Sequence, residues 1–523
     1  MTASATDAAR PRLCVAMILR DEQDVLPDTL ASVRALADEI VVLDTGSTDG
    51  TPAVAEQWGA SVAHGAWQDD FSEARNRCLA LAGGDWVLWL NAGERLDPQS
   101  AEELRDFVDD RADPAAAYLL TVALAPASAP ASPEEVCQLR LLPRGAVLRF
   151  EGRVRETVRP SVKAAGLRIE LAPGRIECHA RAHDASRKAR IAQRNLHLVE
   201  REAEESDPSA RLLLAAGEAL GDLGEQQPTR EAFRRAIELA ERGSTEMLEG
   251  YYGLLTAYDA DPEKRDTQLD TCLEALEVFP LDGQLLMAAA NYLREKGRVD
   301  LAVRTLRTAI ELGQVNLEAW HLAELPEVAA SCLALVLQTR GEDDEAARVL
   351  DDALARSPGS VRIRRQLVEL HVKRRRCEEG LRAAEGLAAG DDRHWLAEAV
   401  RGACRAAAKE WTAALALLQG AYVAGCRDPL CLRWLAVTLL SNGAVEAAAP
   451  VLDEWQQADP LNPEVQTYVE VLREHRATGP SGLADPGRYR VDAASGPSEP
   501  SPPFFPVVSQ ICSADVPAAG SEG

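Results

Sequence analysis

The stretch Glu39-Ile-Val-Val-Leu-Asp-Thr-Gly-Ser-Thr-Asp-Gly-Thr51 gathers carboxylates, hydroxyls and glycines in the pattern expected for holding a phosphorylated ligand. Its short β-branched run, Ile40 to Leu43, reads as a buried strand that breaks into turn formers at Asp44. A carboxylate at such a strand end lies where open α/β sheets bind ligands, and it accepts hydrogen bonds from a ribose or a base edge. In the following loop Gly46 and Gly50 permit a tight turn, Ser47 adds a hydroxyl, and Thr48, Asp49 or Thr51 caps a helix with Pro52 in its first turn. The amino end of that helix favours phosphate. A plain capped turn between strand and helix would look the same.

These residues need a layered α/β frame, and the surrounding pattern supplies one. Cys14 to Leu19 reads as a strand with Asp21-Glu22 at its end, and Val25, Leu26, Leu30, Val33 and Leu36 follow at helical spacing. Thr51 to Trp58 gives a second helix and Ser61 to Ala63 a third strand. A helix capped by Ser72 runs to Gly83-Gly84. Trp86 to Leu90 is almost wholly apolar, as a central parallel strand should be, and it ends at Asn91. Between Ala115 and His183 the pattern predicts strands at Tyr118 to Leu124, Val136 to Leu142, Val147 to Phe150 and Leu167 to Leu171.

Four blocks in this order resemble the family 2 glycosyltransferases, whose GT-A fold begins with a Rossmann-like nucleotide-binding half. They are Leu13-Cys-Val-Ala-Met-Ile-Leu-Arg-Asp-Glu22, Asp38-Glu-Ile-Val-Val-Leu-Asp-Thr-Gly-Ser-Thr-Asp49, Asp69-Asp-Phe-Ser-Glu-Ala-Arg-Asn76 and Gly84-Asp-Trp-Val-Leu-Trp-Leu-Asn-Ala-Gly-Glu94. The resemblance implies a nucleotide-sugar donor, with Asp44 on the base or ribose, Asp21 and Glu22 lining the same pocket, and Arg75 with Asn76 orienting the diphosphate. A guanidinium suits that task because it offers paired donors to phosphate oxygens, although Arg75 also reads as a helix arginine paired with Glu73 or Asp69. Asp85 closes the Gly83-Gly84 turn or approaches the nucleotide.

Two departures from the family pattern bear on chemistry. Where the family has Asp-x-Asp followed by Glu to hold a divalent cation, this chain has Asn91-Ala92-Gly93-Glu94. Asn91 can hydrogen-bond a ribose hydroxyl, but of the metal-holding carboxylates only Glu94 remains, with His179 in Ile176-Glu-Cys-His179 as a second candidate ligand for Mg²⁺ or Mn²⁺. Phe150-Glu-Gly-Arg-Val-Arg-Glu156 looks like the family's Glu-Gly-x-x-His-Glu block with Arg155 in place of histidine. The resemblance makes Glu156 the base for an acceptor hydroxyl and Arg155 a cation for leaving-group charge. Glu156 also reads as a strand glutamate paired with Arg153 or Arg155. Both departures fit a metal-independent inverting transferase acting on a peptide, protein or glycan. They fit equally a degenerate domain serving as a binding scaffold.

From about residue 205 the chain is helical and repetitive. Gly217, Gly224, Phe233 and Ala236, then Ala290, Gly297, Ala302, Leu306 and Ala309, match tetratricopeptide (TPR) positions, and Ala353, Leu387, Ala421 and Trp455 recur at the 34-residue period (387−353). About seven hairpins are predicted, with an insertion near Asn316 to Val328. The concave face of such an array usually binds peptide or protein. The expected organisation is a disordered start (1–10), a GT-A domain (11–204), an all-α TPR solenoid (205–476) and a disordered tail (477–523) carrying Phe504-Phe505.

Composition sets the outer limits. Hydrophobic content of 46% with 27% charged residues is that of a soluble globular chain. A net charge of −26 argues against nucleic acid and anionic membranes as partners. The 11 cysteines form no CxxC pairs, no signal peptide or bilayer-length segment stands out, and a cytoplasmic setting is expected. A homo-oligomer is compatible with the array.

Overall fold

The computed structural model describes residues 10–124, 133–178, 185–259, 261–388, 391–458 and 463–478. The first domain runs β1 (Leu13–Leu19), α1 (Leu26–Val33), β2 (Glu39–Asp44), α2 (Thr51–Gln57), β3 (Ser61–His64), α3 (Phe71–Leu81) and β4 (Trp86–Trp89). It continues with β5 (Glu94–Leu96), α4 (Pro98–Asp110), β6 (Ala116–Leu124), β7 (Glu134–Pro143), α5 (Arg159–Ala164) and β8 (Arg168–Cys178). The sheet order is β3-β2-β1-β4-β7-β6-β8-β5; the first four strands are parallel, and β7 joins β4 antiparallel.

Every residue of β1 is buried, and the strand's period of two divides them between two apolar layers. Leu13, Val15, Met17 and Leu19 join one cluster with Leu104 and Phe107 of α4; Cys14, Ala16 and Ile18 join the other with Phe71, Ala74 and Cys78 of α3. Burial pushes the Cys14 and Cys78 thiols up to about 12, which marks them as core groups rather than nucleophiles. Gly84 has φ +77, and an added Cβ would lie 2.8 Å from the Arg12 carbonyl oxygen, so the turn into β4 requires glycine on both counts.

Three sequence expectations need correction. Val147 to Phe150 is not a strand: Val147 is exposed, and the amides of Arg149 and Phe150 are satisfied by the Ser161 hydroxyl and the Asn76 side chain instead of by a neighbouring strand. Asp70, not Ser72, caps α3, since its carboxylate accepts from the Glu73 amide while Ser72 lies inside the helix. Leu387 falls just beyond its helix, because the chain turns at Gly386 with φ +91.

The second region begins with α6 (Ala185–Glu205) and α7 (Ala210–Asp222), followed by α8 (Gln226–Leu239), α9 (Thr245–Asp259), α10 (Arg265–Val278), α11 (Gly283–Glu295) and α12 (Val299–Leu312). After β9 (His321–Leu322) come α13 (Leu325–Thr339), α14 (Asp343–Arg356), α15 (Val361–Lys373), α16 (Cys377–Ala384), α17 (Asp391–Ala407) and α18 (Trp411–Val423). The last described helices are α19 (Pro429–Ser441), α20 (Val445–Ala458) and α21 (Pro463–Thr478). Successive pairs from α7 to α20 form the hairpins. Left-handed residues at Gly341, Arg375, Lys409 and Gly443 mark the turn within four of them and repeat the 34-residue step (375−341) in the backbone itself. Phe233 fills the space beside Gly217 and Gly253, where an added Cβ would come within 2.8 Å of its ring.

The two regions share a core. The cluster beneath α3 continues into Leu198 and Val199 of α6, Leu212, Ala215 and Ala216 of α7, and Ala232 of α8. On the opposite layer the insertion between α12 and α13 sends Trp320 into the apolar cluster that also holds Val136, and its strand β9 pairs with Glu134 and Glu135 of β7. Among the described residues no helix is long and apolar enough to cross a membrane. Trp320→Ala should lower unfolding stability by about 3–5 kcal/mol, the usual cost of emptying a buried aromatic site. Chemical denaturation of the full chain measures it, and a loss below about 1 kcal/mol would show that the insertion is not anchored through this ring.

Candidate active site

The carboxyl ends of β1, β2 and β3 bring together the loop at Asp21, the loop at Asp44 and His64. Asp44 is buried, accepts from the amides of Gly46 (3.3 Å) and Ser47 (3.2 Å), and lies 3.3 Å from His64 Nδ1. Gly46 has φ +107 with open space beside it, so the turn needs glycine for its backbone and not for a close approach. The loops are stitched to each other: the Asp21 amide donates to Ser47 Oγ, Thr48 donates twice to the Asp21 carboxylate, and the Gln23 amide donates to Asp49. The Glu22 amide donates to the Thr51 hydroxyl at 2.7 Å, and its side chain is buried. Burial opposes ionisation of Asp49, but hydrogen bonds from the Thr51 hydroxyl and nearby amides hold its carboxyl below the usual range. Asp21, Ser47 and Asp49 thus act first to hold the two loops together.

Arg75 occupies the next position along the crevice. Its Nε donates to Glu156 Oε1 at 2.6 Å, its Nη2 reaches Asn91 Oδ1 at 3.4 Å, and its guanidinium lies 5.1 Å from the Trp89 ring and 5.4 Å from the Phe150 ring. Arg77, not Arg75, takes Glu73. Glu156 faces Arg75 rather than Arg153 or Arg155, so Arg75, Asn91 and Glu156 converge from α3, the end of β4 and the loop before α5. Arg194 of α6 adds a second, buried cation near Glu156; burial pulls it down to about 10 while Glu156 pulls the other way. Arg194 and His64 were not singled out from sequence. The spacing of Arg187, Arg190, Arg194 and Arg201 along one face of α6 is the signal by which the former could have been found.

Other expected site residues are placed elsewhere. Asp85 lies at the opposite, amino-terminal edge of β4 and accepts from the Arg12 amide at 2.8 Å, which removes it from the strand-end crevice. Asn76 spends both ends of its amide on the backbone of Phe150. Arg155 points its guanidinium into the helical region, to Glu218 of α7 (2.9 Å) and Glu249 of α9 (2.8 Å), and not toward Arg75, the residue expected on the diphosphate. Burial works against its charge, yet the two carboxylates outweigh it and hold Arg155 above its usual range, while burial pushes Glu218 up to about 7. A small cavity at this junction is lined by Glu218, Phe233, Glu249, Tyr252, Gly253 and Trp320.

Glu94 does not fit a metal site. Its buried carboxylate takes Arg140 of β7 at 2.7 and 3.1 Å and the Asn91 amide and side chain at 2.8 and 3.0 Å, so its acceptor directions are filled. Gly93, with φ +88, contributes only its amide, to the Thr29 hydroxyl. His179 lies outside the described residues, and among the described residues no group of three or more His, Cys, Asp or Glu side chains gathers for a cation. Among the described residues, the turn after β4 therefore does not fit a divalent ion.

A mixed α/β sheet whose first four strands are parallel and end in polar loops defines an α/β domain joined to a helical repeat array. Residues 14–119 match the model of the family described as Glycosyl transferase family 2. A TPR repeat-containing protein of Synechococcus elongatus is 50% identical over 102 residues, covering 20% of this chain and 25% of that protein. An uncharacterized glycosyltransferase of Rickettsia felis is 33% identical over 93 residues, covering 17% of this chain and 31% of that one. The chain thus spans about a quarter to a third of these curated relatives. Among solved structures, a tetratricopeptide repeat protein from Parabacteroides merdae aligns with 50% of this chain and 98% of its own, at 17% identity and a TM-score of 0.36. The chain joins a family 2 glycosyltransferase domain to TPR-like helical repeats.

Glu94→Gln should cost about 3–5 kcal/mol, because it leaves Arg140 buried against a neutral partner. A thermal or denaturant midpoint unchanged from the wild type would show that the pair does not hold this turn. Asp44→Ala should weaken nucleotide binding by about 1.5–3 kcal/mol in calorimetry, the worth of a hydrogen bond to a charged group. It should also lower the thermal midpoint, since the same carboxylate holds two loop amides; equal affinity would remove Asp44 from the pocket.

Proposed function

We propose that this chain transfers a sugar from a nucleotide-sugar donor to a hydroxyl of a peptide, protein or glycan, by a single inverting displacement. The observation that carries the reading is the convergence of Arg75, Asn91 and Glu156 at the end of β4, beside the Asp44 pocket. Asp44 and the loops of Asp21, Glu22, Gly46, Ser47 and Asp49 receive the nucleoside, and Asn91 meets a ribose hydroxyl. As the acceptor oxygen attacks the anomeric carbon, the bond from that carbon to the diphosphate oxygen breaks, and the leaving diphosphate keeps the electron pair. Glu156 takes the acceptor proton, and Arg75 answers the charge on the leaving group. Their 2.6 Å contact links the two tasks: a diphosphate that engages Arg75 frees Glu156 to act as base.

The repeats supply the acceptor side. Strand β9 extends the same edge of β7 that pairs with β4, and the cavity at Glu218 and Trp320 adjoins the loop of Glu156. The array's concave surface is suited to presenting a peptide or protein acceptor. No step calls for a divalent ion, since Arg140 already occupies the one carboxylate left from the metal motif.

A panel of nucleotide-sugars should therefore include one that turns over in the presence of EDTA. Glu156→Gln should lower that turnover by about a hundredfold or more while leaving nucleotide affinity within about twofold. Turnover equal to wild type in that variant would assign the base elsewhere. Nucleotide binding with no turnover of any donor would favour the rival reading, a degenerate domain acting with the repeats as a scaffold, for which the filled carboxylate of Glu94 is the supporting observation.

A further inference from the structure

The loop that carries Glu156 has little internal structure, and the helices on the repeat side grip it closely. Within the loop, Glu151 and Thr157 exchange backbone hydrogen bonds of 2.9 and 3.0 Å. From α6, Glu202 accepts from the Arg153 amide at 2.7 Å, and Glu205 takes the Arg153 guanidinium at 2.6 Å. From α7, Arg211 donates to the Val154 carbonyl and to Glu202. Arg155 then bridges Glu218 and Glu249, which come from two different helices.

Arg155 has a backbone φ of +47, a left-handed conformation that non-glycine residues seldom adopt. Strain of that kind persists only where the surroundings over-determine it, and it concentrates at functional sites. Here the restraint is visible: one guanidinium is held by two largely buried carboxylates. The backbone twist at Arg155 buries Val154 in the apolar layer on one side and brings Glu156 to Arg75 on the other.

We infer that Glu218 and Glu249 are positioning residues for the transfer reaction: by fixing Arg155 in its left-handed conformation, the helical repeats set Glu156 in its working place. The inference rests on the transferase reading for its consequence, but its structural half stands independently of catalysis. It makes the repeats part of the active site's frame as well as a docking surface. Arg155, the residue that departs from the family's histidine, gains a role as the link between the two regions.

The test is the full-length Glu218→Gln/Glu249→Gln variant, which keeps side-chain size and removes the charges that hold Arg155. Hydrogen–deuterium exchange across residues 153–157 should quicken by about tenfold or more, since opening of a locally tethered segment becomes easier. Turnover of the active donor from a UDP-sugar and GDP-sugar panel should lose about tenfold to a hundredfold in kcat with KM within about twofold, because a displaced base costs rate and not donor affinity. Adding Arg155→Ala to the double variant should quicken exchange no further, as the three residues form one tether. Asp222→Asn, which alters a carboxylate close to Glu218 but paired with Lys188, should leave exchange and turnover unchanged. Unchanged exchange in the double variant, additive effects of Arg155→Ala, or an equal effect from Asp222→Asn would each overturn the inference. If the wild type turns over no donor while exchange responds as expected, the transferase reading fails and the tether stands.

Discussion

The bidentate pair between Glu94 and Arg140 is the constraint on which the site depends. It joins the turn after β4 to β7, and so locks the nucleotide half of the sheet to its antiparallel half. The carboxylate also holds the Asn91 amide and side chain; Asn91 in turn meets Arg75, and Arg75 meets Glu156. A buried ion pair adds little net stability over a well-packed apolar alternative, but loss of one partner is costly. Its value lies in specifying one arrangement. In a site built around a divalent ion, the cation would gather these oxygens; here an arginine carried on a strand does so, and it cannot leave.

The parts of this structure that were readable from sequence follow a local rule. The strands of the first domain and the polar end at Asp44 obey periodicity and turn chemistry, and the 34-residue step of the array is a pattern in the text. Asp85 was left open between turn and nucleotide because a motif gives the order of residues along the chain and not the end of the strand on which a side chain lies; Asn76, on α3, has an amide taken up by the Phe150 backbone, a partner 74 positions away. Arg140 was overlooked for a related reason: a single arginine in an alternating strand looks like a solvent-facing residue until its partner, 46 positions away, is known. Arg155 was placed at the diphosphate because its partners on α7 and α9 lie beyond the span that any motif covers.

The same limit applies to the array. Glycine marks the left-handed turn at positions 341 and 443, but Arg375 and Lys409 adopt that conformation without it, so the turn is imposed by helix packing and not by local preference. Nor does a repeat pattern disclose which face of a helix covers a neighbouring sheet. Leu198, Leu212 and Ala232 satisfy helical spacing whether they meet another repeat or, as here, the layer beneath α3.

The pairing of β9 with β7 has a consequence for how the chain is made. A ribosome releases the transferase segment first, yet the strand that pairs beside Glu134 and Glu135, and the indole that fills the sheet's core, arrive only with residues 320–322. Until then the nascent domain carries an unpaired strand edge and an unfilled apolar site, the features that recruit chaperones and invite misassembly. The interval between the synthesis of β7 and of β9 is thus a window of vulnerability written into the order of the gene.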